Sequence, residues 1–156
     1  MSGLRRISPL LDFAWRTAFR LGFPLARTWW RLLRPRHRGA VVAVYVGPAL
    51  LLVHQSYRSG WHLPGGGVRR GERPEAAARR ELVEEIGLEA STLFLAGVAC
   101  GNWDGRRDQV HFFELRLVEP PKLQLDNREI IAARLMLPCE LHDMPLTGPV
   151  ATYLGR

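Results

Sequence analysis

Apolar residues in this chain fall into short runs that predict strands. Ala40 to Val46 (AVVAVYV) and Ala49 to Gln55 (ALLLVHQ) are separated by the turn signal Gly47-Pro48, so they predict a β-hairpin. Three later runs predict further strands over residues 92–101, 109–118 and 129–137. The first two of these are joined by a predicted turn, Asn102 to Arg107, which contains an Asp-Gly pair.

Between the two groups of strands, the apolar spacing changes to that of a helix. Pro74 suits a first helical turn, because its missing N–H would have no partner there. Ala78, Leu82 and Ile86 recur every four residues and predict the packed face of this helix. Gly87 then supplies the left-handed residue that ends a helix.

A short helix near Cys139 to Asp143 and a last helix with Thr147 at its N-cap are predicted at the end of the chain. The resulting order, strands then helix then strands then helix, predicts an α+β domain with helices on a mixed β-sheet. We place this domain at residues 39–156. Residues 1–38 are predicted to form a separate basic, amphipathic helical segment.

The N-terminal segment combines an arginine stripe with apolar side chains. The arginines that share one helical stripe are Arg16, Arg20, Arg27, Arg31, Arg34 and Arg38. The large apolar residues are Phe13, Trp15, Phe19, Phe23, Trp29, Trp30 and Leu33. Pro24 is predicted to divide the segment into two helices, and Pro35 to end the second.

The net charge of +7 is concentrated in this segment. Residues 1–39 hold nine arginines and one aspartate, 9 − 1 = +8, whereas residues 40–156 hold 13 basic and 14 acidic residues, 13 − 14 = −1. Because the domain itself is nearly neutral, the basic composition does not indicate nucleic-acid binding, and no stable nucleic-acid partner is expected.

Three interpretations of the segment remain open. It could lie on an anionic membrane surface, pack on the domain or on a second subunit, or serve as a mitochondrial presequence. The chain has 21 arginines and one lysine, which favours a GC-rich bacterial coding sequence. No uncharged run reaches the ~20 residues that span a bilayer, and no secretory signal is recognisable. We therefore expect a cytoplasmic bacterial protein, with peripheral contact at the inner membrane or a homodimer as alternatives.

The chain has two cysteines, Cys100 and Cys139, without CxxC spacing. Neither a disulfide framework nor a zinc site is indicated, and a reducing compartment fits this usage. Both thiols are predicted to be buried in the core.

Three carboxylates crowd one face of the predicted central helix. Glu81, Glu84 and Glu85 stand at positions i, i+3 and i+4, where like charges raise one another's pKa values and destabilise the helix. A hard divalent cation among their oxygens would remove this repulsion. The alternative is a solvated acidic face. Gly65, Gly66 and Gly67 come shortly before the helix and favour a phosphate and metal cradle, because glycine lets the backbone approach a ligand closely.

The full spacing runs Gly66, five residues, Glu72, seven residues, and then Arg80-Glu81-Leu82-x-Glu84-Glu85-x-Gly87-Leu88. This pattern resembles the Nudix box, and the resemblance extends over roughly residues 39–156. It implies the Nudix fold, an α/β/α sandwich with a mixed sheet. It also implies hydrolysis of a nucleoside diphosphate linked to another moiety, with Mg²⁺ or Mn²⁺ as cofactor.

The resemblance also implies roles for individual residues. Glu81, Glu84, Glu85 and the carbonyl of Gly65 would bind metal, Arg80 would orient its acidic neighbours, and Glu72 would order the loop and helix. Glu129 is the candidate for a further acid from a later loop, with a surface pairing to Arg128 or Arg134 as the alternative. Glu81 and Glu129 are the candidates for the general base. The predicted substrate-binding residues are Gly66, Gly67, Glu72, Arg58 and Trp103. A solvated Arg58 and a Trp103 packed on its own hairpin are the alternatives.

The substrate is less defined than the reaction. No mark of the ADP-ribose, diadenosine polyphosphate or coenzyme A subfamilies is present, so a nucleoside triphosphate or related nucleotide is expected. ADP-ribose, nucleotide sugars and RNA 5′ ends remain alternatives. A Nudix module that senses a nucleotide without cleaving it is a further hypothesis.

Overall fold

The computed structural model describes residues 9–33 and 36–155, with side chains for 9–29 and 36–155. Three α-helices run over Pro9–Leu33 (α1), Pro74–Ile86 (α2) and Gly148–Tyr153 (α3), and a 3₁₀ helix covers Glu140–Asp143. The seven strands are Arg36–Val46 (β1), Ala49–Gln55 (β2), Trp61–His62 (β3), Gly65–Gly67 (β4), Phe94–Trp103 (β5), Arg106–Leu117 (β6) and Ile130–Met136 (β7).

The strands form one mixed sheet with β1 near its centre. The path β3-β2-β1-β6-β5 is completed by β4 pairing with β1 and β7 pairing with β2. β1 runs parallel to β6 and antiparallel to β2 and β4. Its residues alternate between two buried clusters, one beneath α2 and one beneath α3 and the 3₁₀ helix. The predicted α+β class with helices on a mixed sheet is confirmed.

The central helix forms as predicted. α2 begins at Pro74, and Gly87 ends it in the left-handed conformation with φ +67°. Ala78, Leu82 and Ile86 are fully buried against the sheet. This face holds α2 in place, and the neighbouring side of the helix, with Glu81 and Glu85, contacts the glycine strand β4.

The N-terminal helix differs from the prediction at Pro24. α1 continues through this proline instead of dividing into two helices. Pro24 is exposed, so solvent can hydrate the carbonyl of Arg20 that loses its N–H partner. Phe19 and Phe23 both pack on Tyr57 and hold this part of the helix against the domain. Pro35, predicted to end the segment, lies outside the described residues, as does Arg34.

Arg38 is predicted to lie on the helical arginine stripe, but it lies on β1, which already begins at Arg36. Residues 36–38 pair with β6 and so belong to the sheet.

Two other local predictions change. The predicted turn over residues 102–107 is confined to Asp104-Gly105, because β5 extends to Trp103 and β6 begins at Arg106. The burial predicted for the cysteines is wrong, since both Cys100 and Cys139 are exposed. Cys100 lies on β5 at the end of the sheet path, and Cys139 lies just before the 3₁₀ helix.

Candidate functional site

The glycine strand β4 brings backbone close to the acidic edge of α2. The N–H of Gly65 donates to Oε2 of Glu85 at 2.8 Å. Gly65 has φ +142°, and an added Cβ would lie 2.3 Å from the carbonyl oxygen of Ala40. At Gly66 a Cβ would lie 2.6 Å from Cδ of Glu81. Only glycine therefore allows β4 to pass between β1 and these two carboxylates.

Arg80 connects the carboxylates of the loop and the helix. Its Nε and Nη2 donate to the two oxygens of Glu72, both at 3.0 Å, in a bidentate pair. Nη1 donates to Glu81 at 2.6 Å and to Glu84 at 3.2 Å, and Nη2 also reaches the carbonyl of Gly67 at 3.0 Å. The arginine thus orders the glycine strand and the acidic helix as one unit.

The carboxylates of this unit have opposite electrostatic environments. Burial raises the pKa of Glu85 well above its usual value, and the hydrogen bond from the Gly65 N–H lowers it only in part. The charges of Glu129, Glu81 and Asp126 raise this pKa further. Burial also raises the pKa of Glu81, although its hydrogen bond with Arg80 opposes this shift. The hydrogen bond from Arg80 lowers the pKa of Glu72 to about 2. Glu72 is therefore a stable anion, whereas Glu81 and Glu85 form a buried acidic pair without full compensation.

Glu129 reaches the same cavity from the loop before β7. The carboxylate of Asp126 accepts backbone N–H groups of Arg128, Glu129 and Ile130 and so fixes this loop. Oε1 of Glu129 accepts from Gln55 Nε2 at 3.1 Å and from the Tyr57 hydroxyl. Burial, then the Glu129 charge, raises the pKa of Tyr57, so this hydroxyl remains a donor. The side chain of Glu129 thus faces the cavity.

The two predicted substrate contacts outside the box also line the cavity. Arg58 pairs with Asp104 at 2.9 Å and is only 22% exposed, so it is not a solvated surface arginine. Trp103 packs on glycine backbone, since an added Cβ on Gly101 or Gly148 would lie within 2.5 Å of its ring. Trp103 therefore packs on its own strand, as the alternative interpretation had it, while it also lines the cavity.

The cavity has a volume of about 480 Å³, within the range that holds a small ligand. It joins the glycine strand, the carboxylates Glu81, Glu85 and Glu129, and one side of α1. Sequence reasoning did not find Gln55, Tyr57 or the α1 residues as members of this site. Their contacts cross the fold, and the only local signal was the position of Tyr57 beside Arg58.

Among the described residues, no group of three or more His, Cys, Asp and Glu side chains is already arranged around a metal-sized gap. Arg80 occupies oxygens of Glu81 and Glu84. The donor set nevertheless fits a hard divalent cation, because buried Glu85 is repelled by three other carboxylates and has one backbone N–H to offset this repulsion.

Comparison with known proteins gives one family match over most of the chain and shorter matches to individual relatives. A family model described as NUDIX domain matches residues 35–152. An RNA pyrophosphohydrolase from Hydrogenovibrio crunogenus is 49% identical over 41 residues, which are 26% of this chain and 25% of that protein. A putative 8-oxo-dGTP diphosphatase 2 from Mycobacterium tuberculosis is 58% identical over 33 residues, 21% of this chain and 23% of that protein. The matches to these two curated relatives span about a quarter of their length.

A solved structure matches over most of the domain. The crystal structure of a MutT NUDIX hydrolase from Burkholderia pseudomallei has a TM-score of 0.68 at 21% identity, and the match covers 77% of this chain and 96% of that one. The fold expected from the sequence resemblance is therefore confirmed.

Proposed function

This chain belongs to the NUDIX domain family, and we propose that it hydrolyses a pyrophosphate linkage in a nucleotide with the help of a divalent metal ion. The observation that carries the proposal is the meeting of Glu81, Glu85 and Glu129 with the glycine strand in one cavity. The family match and the Nudix hydrolase relatives support a pyrophosphohydrolase.

Nudix hydrolases generally use divalent metal ions, and we propose Mg²⁺ or Mn²⁺ for this protein. Glu81, Glu84, Glu85 and the carbonyl of Gly65 would hold it. When bound, such a metal neutralises phosphate oxygens and lowers the pKa of a water molecule. Because Arg80 engages Glu81 and Glu84 in this structure, its guanidinium must share or release these oxygens when metal is held. Its bidentate pair with Glu72 keeps the arginine in place during that change.

Glu129 and Glu81 are the candidates for taking the proton of the attacking water. Gln55 and Tyr57 both donate to Oε1 of Glu129, so Oε2 is the oxygen suited to receive a proton. These two donors also fix the orientation of the carboxylate. Glu81 has a raised pKa from burial, which suits a proton acceptor, but it is tied to Arg80.

The substrate we propose is a nucleoside triphosphate or a related nucleotide. Backbone at Gly66 and Gly67 would approach the phosphates, beside the loop that Glu72 orders. Arg58 and Trp103 would lie nearer the rest of the ligand. Similarity to an RNA pyrophosphohydrolase and to a putative 8-oxo-dGTP diphosphatase supports a substrate with a phosphoanhydride attached to a nucleotide.

The test is the release of phosphate and pyrophosphate from a substrate panel with Mg²⁺ or Mn²⁺. The panel contains nucleoside triphosphates, nucleotide sugars, ADP-ribose and 5′-triphosphorylated RNA. We expect turnover of one class, and its loss when EDTA removes the metal. Tight nucleotide binding without turnover of any class would contradict the hydrolase and favour a nucleotide-sensing module.

The outer face of α1 exposes apolar side chains that suit a membrane surface and not a nucleotide. Leu21, Leu25 and Trp29 are each more than 60% exposed, and Arg27 of the same helix is exposed as well. Exposed apolar side chains with a neighbouring cation suit the surface of an anionic bilayer. None of the described helices is long and apolar enough to cross a membrane. We therefore propose peripheral contact through this face.

Sedimentation with vesicles tests that contact. The full chain should pellet with phosphatidylglycerol vesicles and not with phosphatidylcholine vesicles, and the double variant Leu21→Ser/Leu25→Ser should stay in solution. Leu95→Ser, on an exposed position of β5, is the matched control. A dimer that the same double variant dissociates, with no vesicle binding by the wild type, would assign this face to a second copy instead.

A further inference from the structure

The helix α1 lies outside the residues that the family model matches, yet it forms one side of the catalytic cavity. The match begins at residue 35, whereas Phe19, Gly22 and Phe23 of α1 line the cavity that holds Glu81 and Glu129. The family resemblance therefore gives no role to this side of the cavity.

Polar contacts fix α1 on the two loops that border the catalytic carboxylates. Arg16 donates to the carbonyl of Asn127 at 2.7 Å, and Asp12 pairs with Arg128 at 3.1 Å. Arg20 donates to the carbonyl of Ser56 at 3.0 Å. These contacts join α1 to the loop that leads to Glu129 and to the loop that carries Tyr57. α1 therefore has a defined position over the cavity.

The inner side of α1 is aromatic next to the catalytic carboxylate. The ring of Phe23 lies 4.9 Å from that of Tyr57, whose hydroxyl donates to Glu129. The guanidinium carbon of Arg58 lies 5.0 Å from the centroid of the Phe23 ring, and Nη2 of Arg58 pairs with Asp104. A continuous surface of Tyr57, Phe23 and Arg58 thus leads away from Glu129, with rings and a planar cation suited to a planar group.

The cavity has room for such a group while α1 is in place. Its volume is about 480 Å³ and Gly22 is one of the residues that line it. Gly22 is exposed, and an added Cβ there would meet no atom within 4 Å. Glycine destabilises a helix interior relative to alanine. Gly22 adds no side chain to this side of the cavity.

We propose that α1 is the specificity wall of this enzyme, in which Phe23 and the space over Gly22 receive the nucleobase of the substrate. The proposal rests on the proposed function for the placement of the phosphates at the carboxylates. It assigns nucleobase recognition to a segment outside the family domain.

Equilibrium binding separates this wall from the phosphate site. The ligands are inorganic pyrophosphate and whichever of ADP, GDP, CDP and UDP the wild type binds most tightly, each with Mg²⁺. Stacking of a base on an aromatic side chain contributes enough that its loss weakens binding about tenfold or more. Phe23→Ala should therefore weaken nucleoside diphosphate binding about tenfold and leave pyrophosphate binding within about twofold.

Two further variants complete the test. Gly22→Leu should fill the same space and weaken only the nucleoside diphosphate, although leucine favours the helix. Phe13→Ala is the matched control, because Phe13 is exposed on the same helix and loses the same ring. It should leave both affinities unchanged.

Equal weakening of both ligands by Phe23→Ala would overturn the proposal, because it would assign Phe23 to the support of Tyr57 and Glu129. Unchanged binding in both wall variants, or a wild type that binds no nucleoside diphosphate more tightly than pyrophosphate, would overturn it as well. These are binding measurements, so an absence of turnover would contradict the proposed function without deciding the role of the wall.

Discussion

Replacement of the buried His62 should make the stability of the protein less sensitive to acid. His62 is 7% exposed at the end of β3, and its Nδ1 lies 2.8 Å from the carbonyl oxygen of Leu63. Because a carbonyl only accepts, Nδ1 carries the proton of the neutral ring. Burial lowers the pKa of His62 from 6.5 to about 4, and the Leu63 hydrogen bond opposes the shift while the charges of Arg58 and His54 add to it.

The sign and size of the effect follow from proton linkage. The unfolded chain takes up a proton near pH 6.5, whereas the folded chain does so only near pH 4, so stability is full above pH 6.5 and falls between these values. With these two pKa values, the loss is about 2 kcal/mol at pH 5 and about 3 kcal/mol at pH 4. His62→Gln cannot titrate and should lack this loss.

Urea unfolding at pH 7 and pH 5 measures the difference. The free energy of unfolding of the wild type should fall by about 2 kcal/mol more than that of His62→Gln over this interval. Effects of the groups that both proteins share cancel in the comparison. His142→Gln, at an exposed position of the 3₁₀ helix, is the control and should show the same pH dependence of stability as the wild type. The same pH dependence in wild type and His62→Gln would refute a buried, neutral His62.

Two further substitutions test the packing and the close approach at the site. Leu82→Ala should lower the free energy of unfolding by about 3 kcal/mol, since Leu82 is fully buried, whereas Val83→Ala on the exposed side should change it by less than about 1 kcal/mol in the same urea assay. Gly66→Ala should lower kcat about hundredfold, because the added Cβ would displace the carboxylate of Glu81. Gly97→Ala is the control, because a Cβ at Gly97 meets nothing within 4 Å. Equal kcat values in the two variants would contradict the close approach of Gly66 to Glu81.

The part of the fold that sequence predicts well is the part decided by neighbouring residues. Pro74, the four-residue spacing of Leu82 with its neighbours, and Gly87 determine the start, packed face and end of α2 through local backbone geometry. The hairpin of β1 and β2 follows in the same way from apolar runs around a Gly-Pro turn.

Features that depend on distant contacts were not predictable. α1 continues through Pro24, and Phe19 and Phe23, which both precede this proline, pack on Tyr57 more than thirty residues away. The exposure of Cys100 depends on β5 being the last strand of the sheet path, which composition does not reveal.

The candidate site divides along the same line. The sequence pattern predicts the acidic helix and a glycine cradle before it, and the structure brings the two together at the cavity. The glycines form the strand β4, which the sequence did not predict. Tyr57 and Gln55 reach Glu129 only because β2 pairs with β7. The contacts of Tyr57 and Gln55 with Glu129 could therefore not be predicted from the sequence alone.

The most direct test of the central claim is the turnover of Glu85→Gln beside that of Glu75→Gln, on the best substrate of the panel with saturating Mg²⁺. Both variants change a glutamate of α2 to glutamine, but Glu85 faces the cavity, whereas Glu75 pairs with Arg79 on the helix surface. We expect kcat to fall about hundredfold or more in Glu85→Gln and to stay within about twofold in Glu75→Gln, with both proteins folded. Near-normal kcat in a folded Glu85→Gln would contradict a catalytic metal site on this helix.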